Sequence, residues 1–541
     1  MSKSRINELS VSVLGLGVSV ILFATIVIAL TQFIQNRNAN VPKNLVCNNP
    51  SCAEYARRIR ESINLSVDPC AKLYRHVCDG WDATHEGSVL EYEHVQLASA
   101  YLRNLPAPRT GQSPLQKAAV FFRSCEDVFH SDRDGTPMLQ SLLLKCGVSW
   151  PVPKVDPDVV AAVIRLHRLF GLATLLLLTK SSDSDGNASV HIAPSPAVRI
   201  MKRKRDAAIA ARLHEQHFSS LRNYLAPRNA VRLQTYREFI DVENSTFEYL
   251  DRNFGDQDSN VVDSLEALAE ITYSISAEYW RRTLEKELGM RVRGNTIRVR
   301  VVSLVHLHSF NSLLAELGQE AVLLYVGWVA LQFIGPYVSR HLAELARLGN
   351  GENERQERVS QCLSLTERFI DWNLLGSHSA GLNDSSRSPL VELVQAIGES
   401  LRSAARGAPW LSKFVGDLPT TFTVDYAIPS AEEEQSDFAS ADDMSSDLLL
   451  NWINVTHRRG ETRDPVVINA VRHDHLPIEK MHFLRAVNGT LMVPAGYASP
   501  LLFESELVPA VRFGSFGLLA SVSMLEASGE AHRLSDFLLH K

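Results

Sequence analysis

The sequence predicts a mainly α-helical extracellular domain with a few short strands, carried behind one N-terminal membrane-spanning helix. Three observations carry this reading. No charged side chain occurs between Leu9 and Asn36. Apolar residues recur at helical spacing through most of the region from Ser51 to Leu411. All seven cysteines and all six N-x-S/T triplets lie beyond the uncharged stretch. The 541 residues, 45% hydrophobic and 21% charged, suit two or more lobes better than one core. A formal net charge of -6 leaves no broad basic surface, so nucleic acid is not an expected partner.

Residues 1–10 read as a cytoplasmic tail, with Lys3 and Arg5 holding it on the inner side. The apolar segment 11–34 exceeds the roughly 20 residues that a helix needs to span hydrocarbon. It is also longer than the roughly 7–15 apolar residues of a cleaved signal peptide, so an uncleaved anchor is the preferred reading. Residues 35–46 form a juxtamembrane stalk. The orientation is type II, with the bulk of the chain outside the plasma membrane. The acceptor triplets at Asn64, Asn187, Asn244, Asn383, Asn454 and Asn488 agree with a single-span glycoprotein. Cys47, Cys52, Cys70, Cys78, Cys125, Cys146 and Cys362 would then face a compartment that permits disulfides. Their odd number leaves at least one thiol free or bonded to another chain.

Residues 47–430 form the large helical region, with breaks at LPAPRTGQS, WPVPKVDPD and SSDSDGN. Leu172–Ala193 reads as a strand pair closed by the turn SDGN. The apolar run Ala321–Ser339 is long enough to span a membrane, but Gln332 and Pro336 favour a buried helix. Residues 431–463 begin with seven acids and no base up to Asp447, which predicts an exposed acidic linker rather than a cation loop. Residues 464–541 follow as a second region. It has strand character at DPVVINAV and GTLMVPAGY and then an apolar helix, GSFGLLASVSMLEASGE, whose Leu518, Val522 and Leu525 spacing predicts a buried face.

Reactive constellations are sparse. His214 and His217 (HEQH) fall one residue short of the H-E-x-x-H spacing that puts two imidazoles and a general base on one helix face. His306 and His308 point to different sides of a helix. His473 and His475 would share one face of a strand, yet no third ligand accompanies them. The basic cluster Arg199–Arg205 reads as a solvated helix face. Neither a G-x-S-x-G elbow nor a His-partnered cysteine motif occurs.

The segment CNNPSCAEYARRIRESINLSVDPCAKLYRHVCDGW, Cys47 to Trp81, resembles the start of the ectodomain in the neprilysin and endothelin-converting-enzyme family of zinc metallopeptidases. FFRSCEDV, LLYVGWVAL (Tyr325, Trp328), VSQC and VPAGYASPLLF are similar to later family segments in the same order. VINAV resembles the edge strand whose Asn-Ala pair, here Asn469 and Ala470, holds substrate backbone. The likeness runs from Cys47 to about Gly529 and implies a two-lobed fold.

That register also implies a loss. The family's H-E-x-x-H helix falls on Val522-Ser523-Met524-Leu525-Glu526, so valine and glutamate replace the two histidine ligands and Ser523 replaces the catalytic glutamate. The third ligand and the transition-state His and Arg of the family lie beyond Lys541, so 464–541 reads as a truncated remnant of the catalytic region. No zinc or other cofactor is expected, although the family uses zinc. The resemblance pairs Cys47 with Cys52 and Cys125 with Cys362. It leaves Cys70 and Cys78 orphaned or bonded to each other and Cys146 as an extra thiol, which allows a disulfide-linked dimer. The expected protein is proteolytically inactive and binds extracellular peptides or a protein partner, with Asn469 and Ala470 either serving that role or surviving as framework. The alternative is a zinc-dependent endopeptidase of which this sequence is an incomplete version.

Overall fold

The computed structural model describes residues 50–82, 89–182 except 132 and 153–155, 188–290 except 229, 231 and 253–259, 296–346, 354–370, 384–407, 423–425, 437–462, 485–487, 490–492, 503 and 507–525. The proposed tail, anchor and stalk lie outside them. Helices dominate, and their starts follow from local chemistry. Ser113 opens Pro114–His130 with a capping box, its hydroxyl accepting from the Gln116 amide while the Gln116 side chain accepts from the Ser113 amide. Thr235 and Glu238 do the same for Tyr236–Leu250. Asp158 caps Val159–Phe170, which ends on Gly171 at φ 69°, a left-handed position that suits glycine.

The apolar run predicted as a buried helix lies within Leu304–Ile334, continued by the 3-10 turn Gly335–Tyr337. Among the described residues only this segment is long and apolar enough to cross a membrane, and 72% of its most apolar window is buried inside the protein. Gly318, at φ 76°, interrupts the helix before the buried half. Tyr325 and Trp328 are then fully enclosed, and Gly327 lets the backbone approach Trp150: a Cβ there would stand 3.0 Å from the Trp150 Cβ.

The strand pair expected around Leu172–Ala193 is β1 (Leu176–Ser182) and β2 (Ala188–Pro194), antiparallel with Leu176 opposite Pro194. The turn predicted between them lies outside the described residues. With β3 (Asn260–Ser264) and β4 (Thr296–Val301) they form a sheet in the order β1-β2-β4-β3, in which β2 and β4 run parallel. Three short strands, β5 (Thr423–Asp425), β6 (Arg485–Val487) and β7 (Thr490–Met492), make a second sheet in the order β5-β7-β6. β7 falls in the GTLMVPAGY segment; DPVVINAV lies outside the described residues.

The acidic stretch corrects the sequence reading. Its described part is no exposed linker, because Asp437–Ser440 and Leu448–Thr462 are helices whose Phe438 and Trp452, with Met444 from the loop between them, join the main core. The acids do not prevent this: Asp443 accepts from the Gly111 and Gln112 amides at 2.7 and 3.0 Å. Those two N–H groups, Gln112 first, hold the Asp443 carboxyl below its ordinary value. Lys117, buried, donates to the carbonyls of Phe438 and Ala441 at 3.2 and 2.6 Å. Trp452 donates from Nε1 to the Phe170 carbonyl at 3.0 Å, satisfying an orphan oxygen at a helix end. Asp442, Asp443 and Asp447 sit on the loop between the two helices and Asp437 is buried in the first turn of the first one, while the apolar side chains between them build the core.

A second, smaller set of buried apolar residues lies outside that core. Leu390, Leu393, Val394 and Ile397 come from the helix Asp384–Gly407, and Phe503, Leu507, Phe516, Ala520 and Met524 from the end of the described chain. These segments pack on one another and on the second sheet.

Candidate functional site

The predicted zinc-helix segment begins with Pro509–Arg512, passes through a π turn, Phe513–Gly517, and continues as Leu518–Leu525. Gly517 lies against the helix Asp384–Gly407, where an added Cβ would meet Ile397 Cδ1 at 3.5 Å and the Arg512 carbonyl at 3.3 Å. Phe516 packs edge-on to Phe503 with ring centres 5.8 Å apart. Ser515 and Ser521 each donate back to the carbonyl four residues earlier, both at 2.7 Å.

The buried face differs from the predicted one. Phe516, Ala520 and Met524 point inward, whereas Leu518 is 59% exposed and Val522 46% exposed. The spacing 516, 520, 524 is as helical as 518, 522, 525, so periodicity alone could not choose between them. The π turn carries an extra residue and sets the phase, and Phe513, also outward, joins Leu518 and Val522 in an exposed apolar row. Val522, at the position of the first expected ligand, therefore faces outward from a formed helix. A valine offers no lone pair to a metal, and a serine hydroxyl at 523 is no general base at neutral pH. The Ser523 side chain, Glu526, Asn469, Ala470, His473 and His475 lie outside the described residues.

His214, His217 and His306 are buried parts of the core architecture. His214 Nδ1 lies 2.9 Å from the Tyr236 hydroxyl, and its Nε2 lies 3.2 Å from the fully buried Glu243 carboxylate. Arg205 approaches the same oxygen at 3.3 Å. His217 Nε2 faces Gln332 Oε1 at 3.1 Å and its ring meets Trp328, and burial pushes its pKa down. His306 is buried and pushed down to about 4 by loss of solvation, whereas His308 is exposed, as their spacing predicts. The basic cluster lies on the helix Ala197–Ala210, with Lys202 and Arg199 turned to Asp251 at 2.7 and 3.6 Å. Sequence reasoning missed the Glu243, Arg205 and His214 grouping, since its members come from three separate helices. Among the described residues no three His, Cys, Asp or Glu side chains converge as a metal-ligand set.

Cys125 and Cys362 form a disulfide across 237 residues with Cα atoms 5.6 Å apart, joining Pro114–His130 to Glu354–Thr366. Cys52 is disulfide-bonded, and its expected partner Cys47 lies outside the described residues. Cys70 is a free, exposed thiol, which sets aside a bond between it and Cys78. Cys146 is free and buried, and desolvation pushes its thiol up to about 12.

These features define a class before any individual likeness. Residues 69–415 match the N-terminal model of peptidase family M13, and the chain belongs to that family. Among individual proteins, it is 21% identical over 560 residues to Neprilysin-1 of Trittame loki, covering 88% of this chain and 72% of the relative. It is 21% identical over 526 residues to human Endothelin-converting enzyme-like 1, covering 86% of this chain and 65% of the relative. The fold is shared with the zinc metalloprotease Zmp1 of Mycobacterium tuberculosis at TM-score 0.56 and 15% identity, over 86% of this chain and 73% of that one.

Proposed function

We propose that this M13-family chain is a type II plasma-membrane glycoprotein, anchored through residues 11–34, that binds extracellular peptides or a protein partner without cleaving them. The observation that carries the reading is Val522, a non-ligand side chain facing outward at the position where the family register expects the first histidine. A catalytic zinc takes three protein ligands and an open site for water, and valine and serine supply neither ligand nor base. Asn469 and Ala470, if they hold a peptide backbone as an edge strand does, would provide binding without chemistry. No cofactor is required for that role. A disulfide-linked dimer would use Cys70, because Cys146 is sealed in the core.

The test is a peptidase assay on the full-length protein purified from membranes, using a mixed peptide library with and without a zinc chelator. Retention of intact peptides without cleavage supports the proposal. Chelator-sensitive cleavage by the purified chain would overturn it and favour the zinc-endopeptidase reading.

A further inference from the structure

Between the end of the helix Val89–Asn104, the helix Pro114–His130 and the loop that follows Asp443, the surface opens into a cleft of about 820 Å³. A ligand pocket commonly holds roughly 300–1,000 Å³, so the space suits a few residues of an extended chain. Its walls are held by their own hydrogen bonds. The buried Gln112 side chain accepts from the Met444 amide at 2.8 Å and donates to the Met444 carbonyl at 3.0 Å, which ties the loop before Pro114 to the loop carrying Ser445 and Ser446. Walls formed in advance lower the ordering cost that binding would otherwise carry.

The charges lining the cleft do not cancel. Arg103 grips Glu126 through two bonds, Nε to Oε2 at 3.0 Å and Nη2 to Oε1 at 2.5 Å, so this pair is neutral as a unit. Arg123, half-buried, donates from Nη1 to the carbonyls of Leu105 and Arg103 at 2.9 and 3.3 Å, satisfying acceptors at a helix end without cancelling its own charge. Arg109 is exposed, and among the described residues neither it nor Arg123 is ion-paired with an acid. Asp127 is the one described lining carboxylate outside the Arg103 pair, so two guanidiniums stand against a single acid. Ala107, Pro108 and Val120 make another part of the lining apolar.

We propose that this cleft seats a short acidic stretch of an extracellular peptide, with side-chain carboxylates pairing with Arg123 and Arg109 and a neighbouring apolar side chain covering Val120. The inference rests on the peptide-binding reading above and gives it a site and a class of ligand. A basic peptide would meet two like charges and find only Asp127 as a partner. A sulfated polysaccharide would match the guanidiniums but leave the apolar lining without a counterpart.

The full-length protein, purified in detergent, is titrated into fluorescein-labelled, end-capped Leu-Glu-Val-Glu-Leu and into counterparts with glutamine or lysine in place of glutamate, and binding is read by fluorescence polarisation. The glutamate peptide should bind most tightly, and added salt should weaken it more than the glutamine peptide. Arg109→Gln should weaken it about two- to fivefold, as an exposed charge does. Arg123→Gln should weaken it about tenfold, as a half-buried charged donor does. Arg282→Gln, an exposed arginine outside the cleft, should leave it unchanged. Arg109→Glu should narrow or reverse the preference for glutamate over lysine, which a loss of folding would not do. Equal affinity for the three peptides, or a glutamate preference that survives both glutamine variants, overturns the inference and leaves peptide binding standing. Heparin binding without affinity for the glutamate peptide overturns it in favour of a sulfated polysaccharide. Binding of none of the three peptides also overturns it, and retention of other peptides from the mixed library then keeps the broader reading intact.

Discussion

Replacing Trp452 tests whether the acidic stretch is core or linker. Its side chain is fully buried, its ring packs edge-on to Phe170 and Tyr337 at 6.3 and 5.6 Å, and its Nε1 satisfies the Phe170 carbonyl. Trp452→Ala removes a large buried aromatic, which costs about 3–5 kcal/mol. It also leaves a buried carbonyl without its donor, which costs about 1–3 kcal/mol more. Trp452→Phe keeps much of the packing and should lose chiefly the hydrogen bond. Urea unfolding of the protein, followed by tryptophan fluorescence and far-UV circular dichroism, should show midpoints ranked wild type, Phe, Ala with similar slopes. A solvent-exposed linker would tolerate Trp452→Ala within about 0.5 kcal/mol, and that result would refute the packing described for residues 437–462.

Three further outcomes follow from the same geometry. Gly327→Ala should destabilise by about 1–3 kcal/mol through overpacking, since its Cβ would approach Trp150 Cβ at 3.0 Å and Val148 Cγ1 at 3.1 Å; thermal melting checks this. His306, pushed down to about 4 from an ordinary 6.5, stays neutral in the fold while the unfolded chain takes a proton. Stability tied to it is therefore complete above pH 6.5, falls as pH drops towards 4, and is at most about 3 kcal/mol. His306→Gln should flatten that part of a stability-against-pH curve. Iodoacetamide under native conditions should label Cys70 and spare Cys146 until the chain is unfolded, as peptide mapping would show.

Much of the fold was legible because the signals were local. Gln332 and Pro336 marked Ala321–Ser339 as a buried helix, and β-branched residues around SDGN marked β1 and β2. The acidic stretch misled because composition counts charges, whereas burial follows the spacing of Phe438, Met444 and Trp452 between them. A helix was expected after the VPAG segment, and Leu518–Leu525 is one. Its inward face was not readable, because a π turn shifts the phase by a residue that no apolar periodicity records. The Glu243, Arg205 and His214 cluster was invisible for a different reason: only tertiary packing brings those three helices together.

The central claim is that the helix ending at Leu525 has lost its metal chemistry, and zinc stoichiometry tests it most directly. The full-length protein, purified without chelators, equilibrated with zinc and desalted, is measured by elemental mass spectrometry beside the variant Val522→Ala. The account predicts negligible bound zinc in both. About one zinc retained per chain, together with chelator-sensitive peptide cleavage, would contradict it.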